Sequence, residues 1–169
     1  MGELTFFLGL QINQSAKGIF ISKTKYCMEL LKKFELENAK VAVTLMATSC
    51  YLDQGEQGKM IDQTKYRGMI GSLLYLTVSR PDIIIVCVCV CVCARFQENP
   101  KESHLVTVKR IIKYLKGTKT FGLWYPSGAS PRLIGYLDSD YGGCNLDNKI
   151  TSGTRHLLGC SLVSWHSKK

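Results

Sequence analysis

No apolar run in this 169-residue chain approaches the roughly 20 residues that a membrane-spanning helix requires. The two longest runs, Met69–Val78 and Ile83–Ala94, fall well short and are split by Arg80-Pro81-Asp82. A signal peptide is missing as well, because Met1-Gly2-Glu3 opens with an acid and no basic segment precedes the apolar run from Leu4 to Leu10. The eight cysteines are not arranged as a secreted disulfide framework: Cys87, Cys89, Cys91 and Cys93 alternate with other residues, and the remainder are scattered singly. That usage points to a reducing intracellular compartment, cytoplasmic or nuclear. C-x-C-x-C-x-C also lacks the C-x₂-C spacing and companion histidines of a zinc module. His104, His156 and His166 stand apart from any Ser or Cys nucleophile motif, and neither G-x-x-x-x-G-K nor G-x-G-x-x-G occurs, so phosphate-loop chemistry is not indicated. Acidic residues are scarce too: 13 Asp and Glu against 22 Lys and Arg give a net charge of +9. Such a balance favours a polyanionic partner such as nucleic acid or an acidic membrane surface, and charge alone does not choose between them.

What is present reads as a folded α+β chain, since 46% hydrophobic residues suffice for a core. Leu4–Gln11 and Ile19-Phe20-Ile21 are strand-like runs on either side of the polar stretch Asn13–Gly18, which predicts a hairpin. Ser22 is placed to cap a following helix in which Tyr26, Leu30, Leu31 and Phe34 recur at helical spacing, with Lys32-Lys33 at its C-terminal end. From Glu35 to Met60 the pattern dissolves into a connector with turn signals at Asp53-Gln54-Gly55 and Gln57-Gly58. Asp62 predicts the cap of a second helix whose face is Tyr66, Ile70, Leu73, Leu74 and Thr77, while Gly68 and Gly71 either weaken it or permit close packing. Ser79-Arg80-Pro81-Asp82 then restarts a helix. The four Val-Cys pairs that follow have the period of a strand when read alone. Asn99-Pro100 opens a helix with Leu105, Val108, Ile112 and Leu115 as its stripe and Gly117 as its end. Short strands are expected at Phe121–Tyr125, Leu133–Asp138, Gly153–Leu158 and Leu162–Trp165, separated by turns at Pro126-Ser127-Gly128, Gly142-Gly143 and Gly159. The helices thus precede a small antiparallel sheet.

Two groups of residues invite chemistry. Asp138 and Asp140, two positions apart, fall on one face if the strand continues through them and offer two hard oxygen ligands for magnesium. The same Asp-Ser-Asp before Gly-Gly is also ordinary turn composition. The second group is the basic helix, where Lys101, Lys109, Arg110, Lys113 and Lys116, continued by Lys119, suit a phosphate backbone, with Tyr114 near a base or sugar. A solvated helix face accounts for that pattern equally well.

In order along the chain, Phe7–Ile12 (FLGLQI), Leu30–Phe34 (LLKKF), Tyr66–Leu76 (YRGMIGSLLYL), Ser79–Ile83 (SRPDI), Ala94–Gln97 (ARFQ), Pro100–His104 (PKESH), Val108–Gly117 (VKRIIKYLKG), Gly122–Tyr125 (GLWY), Thr151–Gly153 (TSG) and Val163–Lys169 (VSWHSKK) together resemble the Pol polyprotein of copia-type LTR retrotransposons. The resemblance implies a reverse transcriptase C-terminal region over residues 1–126, comprising a primer-grip-like hairpin with Phe7, Leu8 and Gly9 at the nucleic acid and then thumb and connection helices. It implies a truncated ribonuclease H-like antiparallel sheet over 132–169, and a helix for Ile83–Phe96. Asp138 matches the first ribonuclease H carboxylate, with Asp140 its neighbour, and Mg²⁺ is the parent family's cofactor. The polymerase Y-x-D-D acids are expected before Met1, and the remaining ribonuclease H carboxylates beyond Lys169. The implied partners are an RNA–DNA hybrid or duplex and the rest of a Pol polyprotein, and the 169 residues alone are expected to be catalytically incompetent.

Several positions depart from the family pattern and point to decay. Val41 and Leu45 replace prolines, Tyr141 replaces a tryptophan, and Asn148 and Ile150 replace Arg and Ser. The Val-Cys array is about three residues too long, as slippage in a GT repeat produces, and such an insertion turns the rest of a helix by roughly 60°. A non-catalytic basic nucleic-acid-binding module and a relic gene product without function are the alternatives these features raise.

Overall fold

The computed structural model describes residues 4–45, 59–83, 93–94, 96–140 and 151–168. Within them the chain runs β1 (Phe6–Phe7), β2 (Leu10–Ser15), β3 (Gly18–Ser22), α1 (Thr24–Lys33), α2 (Gln63–Leu76), a 3₁₀ turn (Pro81–Ile83), α3 (Glu102–Gly117), β4 (Gly122–Pro126), β5 (Leu133–Asp140), β6 (Thr151–Leu158) and β7 (Ser161–Lys168). Strands β1 to β4 form one antiparallel sheet in that order, and β5 to β7 form a second. The mixed α+β class therefore holds, with one rearrangement. Phe121–Tyr125 was expected beside the later strands, but β4 instead pairs with β3, Phe20 opposite Trp124 and Ser22 opposite Gly122. Helices α1 to α3 are all inserted between two neighbouring strands of one sheet.

The hairpin is tighter than its polar composition suggests. Asn13, Gln14 and Ser15 belong to β2, and only Ala16 and Lys17 make the turn. Strands with a solvated face accept polar residues, so polarity alone did not mark the turn. Gly18 then enters β3 at φ +147°, where a Cβ would overlap the Tyr125 carbonyl oxygen of β4. The Leu4–Gln11 run is itself broken at Leu8-Gly9, which turns β1 back onto β2.

Ser22 does not cap α1. It is a buried strand residue, and the Gln11 side-chain oxygen accepts from Lys25 N–H instead, at 2.7 Å. At the other end Glu35 adopts φ +58°, and Glu35 and Leu36 N–H donate back to the Lys32 and Leu31 carbonyls. That is a Schellman termination, with Leu36 and Leu31 both buried as its apolar contact. Asp62 caps α2 as expected, accepting from Thr64 and Lys65 N–H at 2.9 and 3.1 Å. Position 101, not 99, is the N-cap of α3, and there His104 Nδ1 accepts from Lys101 N–H while its ring stacks on Phe96. Ser79 donates to the Leu76 carbonyl at the end of α2, and the described parts of the restarted helix are the 3₁₀ turn at Pro81–Ile83 and the helical residues Cys93 and Ala94, whose carbonyls accept from Phe96 and Gln97 N–H.

The three helices enclose the core: Cys27, Leu30 and Leu31 from α1, Tyr66, Met69, Ile70, Leu73 and Leu76 from α2, and Val108, Ile111, Ile112 and Leu115 from α3. On α2 the buried face is rotated from the expected one, since Met69 and Leu76 are buried and Leu74 is exposed. Nothing lies within 4 Å of a Cβ built at Gly68 or Gly71, so close packing does not explain these glycines and only their helix-weakening effect remains. Leu105, expected in the α3 stripe, is only partly buried, whereas Ile111 is fully buried. The Val-Cys pairs up to Val92, the Gly-rich connector signals and Gly142-Gly143 lie outside the described residues.

Arg80, itself buried, joins these layers. Its guanidinium donates to both Asp82 carboxylate oxygens (2.8 and 2.6 Å) and to the Thr118 carbonyl and hydroxyl (2.9 and 2.7 Å). The bidentate Asp82 pair fixes the guanidinium, and its bonds to Thr118 link the end of α2 to the end of α3, just where β4 must start. The second sheet docks on the first through the Tyr125 hydroxyl, which donates to the Leu162 carbonyl (2.9 Å), and on α2 through Trp165 Nε1, which donates to the Thr77 carbonyl (3.0 Å).

Candidate nucleic-acid interface

The β1–β2 turn projects an apolar tip. Phe6 and Phe7 are each 53% exposed and Leu8 is 78% exposed. Leu8 holds φ +47° and Gly9 φ +76°, so a bulky residue sits in the left-handed region at the most exposed point of the hairpin. The tip is nevertheless anchored, because the Tyr75 hydroxyl of α2 donates to the Leu8 carbonyl at 3.0 Å. Lys25 of α1 reaches over the Phe6 ring, its Nζ 5.9 Å from the centroid, and brings positive charge beside the apolar surface. An apolar tip next to an ammonium suits a sugar–phosphate backbone, which offers apolar sugar faces between charged phosphates.

The basic helix is less available than its composition suggests. Lys101 is buried at the start of α3. Arg110 donates to the Thr44 carbonyl and hydroxyl at 3.1 and 2.7 Å, and Lys116 Nζ donates to the Ala39 carbonyl at 2.9 Å. These long side chains hold the connector after α1 along the helix, and Val41 of that connector lies so close to Gly117 that an added Cβ would come within 2.6 Å of it. Among the described residues no side-chain hydrogen bond or ion pair engages Lys109 or Lys113, which sit one turn apart and half-buried, or the exposed Lys119, although the Lys113 carbonyl accepts from Ala42 N–H of the connector. Tyr114 is turned to the Arg80–Asp82 pair rather than outward: burial, then the neighbouring Asp82 carboxylate, raises its hydroxyl pKa.

Asp138 is exposed on β5 opposite Gly153, and Asp140 follows two positions on, opposite Thr151. The Asp-Ser-Asp segment is thus strand rather than turn. Among the described residues no three His, Cys, Asp or Glu side chains gather as metal ligands. Two carboxylates at alternate strand positions fit the hard-oxygen preference of magnesium but do not complete a site. Next to Asp138, Tyr136 carries the Arg155 guanidinium over its ring at 4.6 Å.

Sequence reasoning passed over two residues here. Lys23 is buried, with Nζ 3.3 Å from the Tyr75 ring centroid and donating to the Tyr75 carbonyl at 2.7 Å. Burial lowers its pKa to about 8. Tyr75 lies off the apolar stripe of α2, and its position in YRGMIGSLLYL carried no local signal of a long-range partner. A cleft of about 360 Å³ beside the Arg80–Asp82 pair is lined by Phe20, Pro81 and Phe121, but its charged groups are already paired with each other.

The chain is 37% identical over 167 residues to the Retrovirus-related Pol polyprotein from transposon RE1 of Arabidopsis thaliana, an alignment covering 99% of this chain and 11% of the relative. It is 34% identical to the corresponding polyprotein from transposon TNT 1-94 of Nicotiana tabacum, covering 99% of this chain and 13% of that one. An uncharacterized mitochondrial protein of Arabidopsis thaliana is 31% identical over all of this chain and 69% of its own length. The chain therefore spans little more than a tenth of the transposon polyproteins it matches. No protein-family model and no solved structure matches it significantly.

Proposed function

The chain belongs to the copia-type Pol polyproteins of retrotransposons, and from that premise we propose that it is a nucleic-acid-holding segment of a reverse transcriptase and ribonuclease H, non-catalytic by itself. In this reading residues 1–126 form the C-terminal part of the polymerase and 132–169 a ribonuclease H-like unit. Closure of the first sheet at Pro126 and the start of the second at Leu133 support that division. The observation that carries the proposal is the Phe6–Gly9 tip, whose exposed apolar side chains and strained turn are fixed from behind by Tyr75. Phe7 and Leu8 would lie against sugar faces of a hybrid or duplex, and Lys25, Lys109, Lys113 and Lys119 would meet phosphates. Arg110 and Lys116 are better assigned to holding the connector, and Lys101 is buried at the start of α3.

Polymerisation is not assigned to these residues, because no Y-x-D-D sequence occurs among them. Asp138 and Asp140 would be two of the carboxylates holding Mg²⁺ in a complete ribonuclease H centre, where the metal activates water and stabilises the leaving oxygen. Of the two, Asp138 lies exposed on β5.

Binding of a labelled RNA–DNA hybrid over a range of salt tests the reading. We expect affinity that falls steeply with salt, a loss of about tenfold or more in a Phe7→Ala/Leu8→Ala variant, and no magnesium-dependent cleavage. Absence of binding at low salt overturns it. Cleavage that disappears in Asp138→Asn overturns the non-catalytic part and leaves the interface standing.

A further inference from the structure

Resting on the reading of the tip as a nucleic-acid contact, we infer that Tyr75 is a positioning residue, a clamp that sets the conformation of the Leu8-Gly9 turn and transmits it to the helical core. Tyr75 lies at the C-terminal end of α2, and three segments converge on it. From the hairpin, the Leu8 carbonyl accepts its hydroxyl proton at 3.0 Å. The Gly9 Cα lies so close that a Cβ built there would overlap the same hydroxyl oxygen. From α1, the Tyr26 ring meets the Tyr75 ring edge-on at 4.8 Å between centroids. From the β3–α1 junction, Lys23 covers the other part of the ring and bonds the Tyr75 carbonyl.

Each contact has a separate physical consequence. A left-handed Leu8 is unfavourable on its own and persists only where its surroundings hold it. The Tyr75 hydroxyl supplies that hold at the carbonyl of the strained residue. Gly9 serves two needs at once: it tolerates φ +76°, and it leaves room for the hydroxyl. Tyr26 and Lys23 keep the Tyr75 ring from rotating away, the edge-on contact and the ammonium both favouring one ring orientation. Two of the three tethers of the ring come from the α1 side, so the tip is referenced to the helices as well as to its own sheet.

Tyr75→Phe in the full chain removes the hydroxyl and little else. The expected result is a shift and faster hydrogen exchange of the Gly9 amide, unchanged helix content, and about a fivefold loss of affinity for a labelled RNA–DNA hybrid. In a Phe7→Ala/Leu8→Ala background the same substitution should change hybrid affinity hardly at all, because the tip through which Tyr75 acts is gone. Gly9→Ala should be less harmful in Tyr75→Phe than in the parent, since loss of the hydroxyl makes room for the new methyl group. Lys23→Met gives an independent perturbation of the same ring, with the Gly9 amide again as readout. An unmoved Gly9 amide in Tyr75→Phe, or equal harm from Gly9→Ala with and without the hydroxyl, overturns the clamp. If Phe7→Ala/Leu8→Ala leaves hybrid binding intact, the nucleic-acid reading of the tip fails, and the Gly9 amide still decides the clamp.

Discussion

The helical region and the C-terminal sheet use apolar residues in opposite ways. Between Cys27 and Leu115 the helical region, with its connecting segments, buries sixteen apolar side chains among the described residues, many with no exposure at all. Among the described residues of β5 to β7 only Ser161 is buried, while Leu137 is 86% exposed and Leu133 65%. The sheet satisfies its backbone through long registers, eight pairs between β5 and β6, yet it has no apolar layer of its own among the described residues. Hydrogen-bonded pairing alone adds little net stability, because water offers the unfolded chain similar bonds. A three-stranded sheet needs a covered face to stand independently. Here its described anchors are the Tyr125–Leu162 and Trp165–Thr77 hydrogen bonds.

The contrast can be broken most directly by truncating one side chain in each region. Leu73→Ala, at a site without exposure, should cost about 2–5 kcal/mol in chemical denaturation, whereas Leu137→Ala should stay within about 0.5 kcal/mol. Similar costs for both would mean that the sheet has a hidden apolar partner. A smaller effect is expected at the joint between the regions. Trp165→Phe removes the donor to the Thr77 carbonyl and should weaken docking by about 1 kcal/mol. Amide exchange would show it as faster exchange in β6 and β7 with α2 and α3 unchanged, and uniform acceleration would show instead that the regions unfold together.

A further effect is one of pH. Burial lowers the Lys23 pKa from 10.5 to about 8. Between those values the unfolded chain holds the proton and the folded chain has released it, so this group's contribution to stability rises with pH across that window. The raised hydroxyl pKa values of Tyr66, Tyr114 and Tyr125 act in the opposite direction at alkaline pH, since the unfolded chain releases those protons first. The stability difference between the parent and Lys23→Met isolates the lysine. It should move in the parent's favour between about pH 8 and 10.5, and a flat difference would show that Lys23 keeps its ordinary affinity for protons.

Local patterns made much of the architecture legible. The Asp62 cap, the helical runs at Tyr66–Leu73 and Val108–Leu115, and the three C-terminal strands all depend on residues within a few positions of each other. The misplacements share one cause. Ser22 has the right chemistry for a cap but was already committed to β3, and Gln11, distant in sequence, supplied the acceptor. For the interface, Phe7, Leu8 and Gly9 were found together at an exposed tip, whereas Lys101, Arg110 and Lys116 turned inward. A long cationic side chain goes wherever carbonyls are offered, and the carbonyls of Ala39 and Thr44 belong to a segment whose path no local pattern specified.

By itself the amino-acid sequence determined the family, the basic character, the mixed class and the positions of most helices and strands, because charge, periodicity and capping act over one or two turns of chain. Only the tertiary structure decided that β4 returns past the helices to pair with β3, that Arg110 and Lys116 of the basic helix serve the connector, and that Tyr75 reaches Leu8. Those outcomes rest on contacts between residues tens of positions apart, where packing geometry selects among partners of the same chemistry.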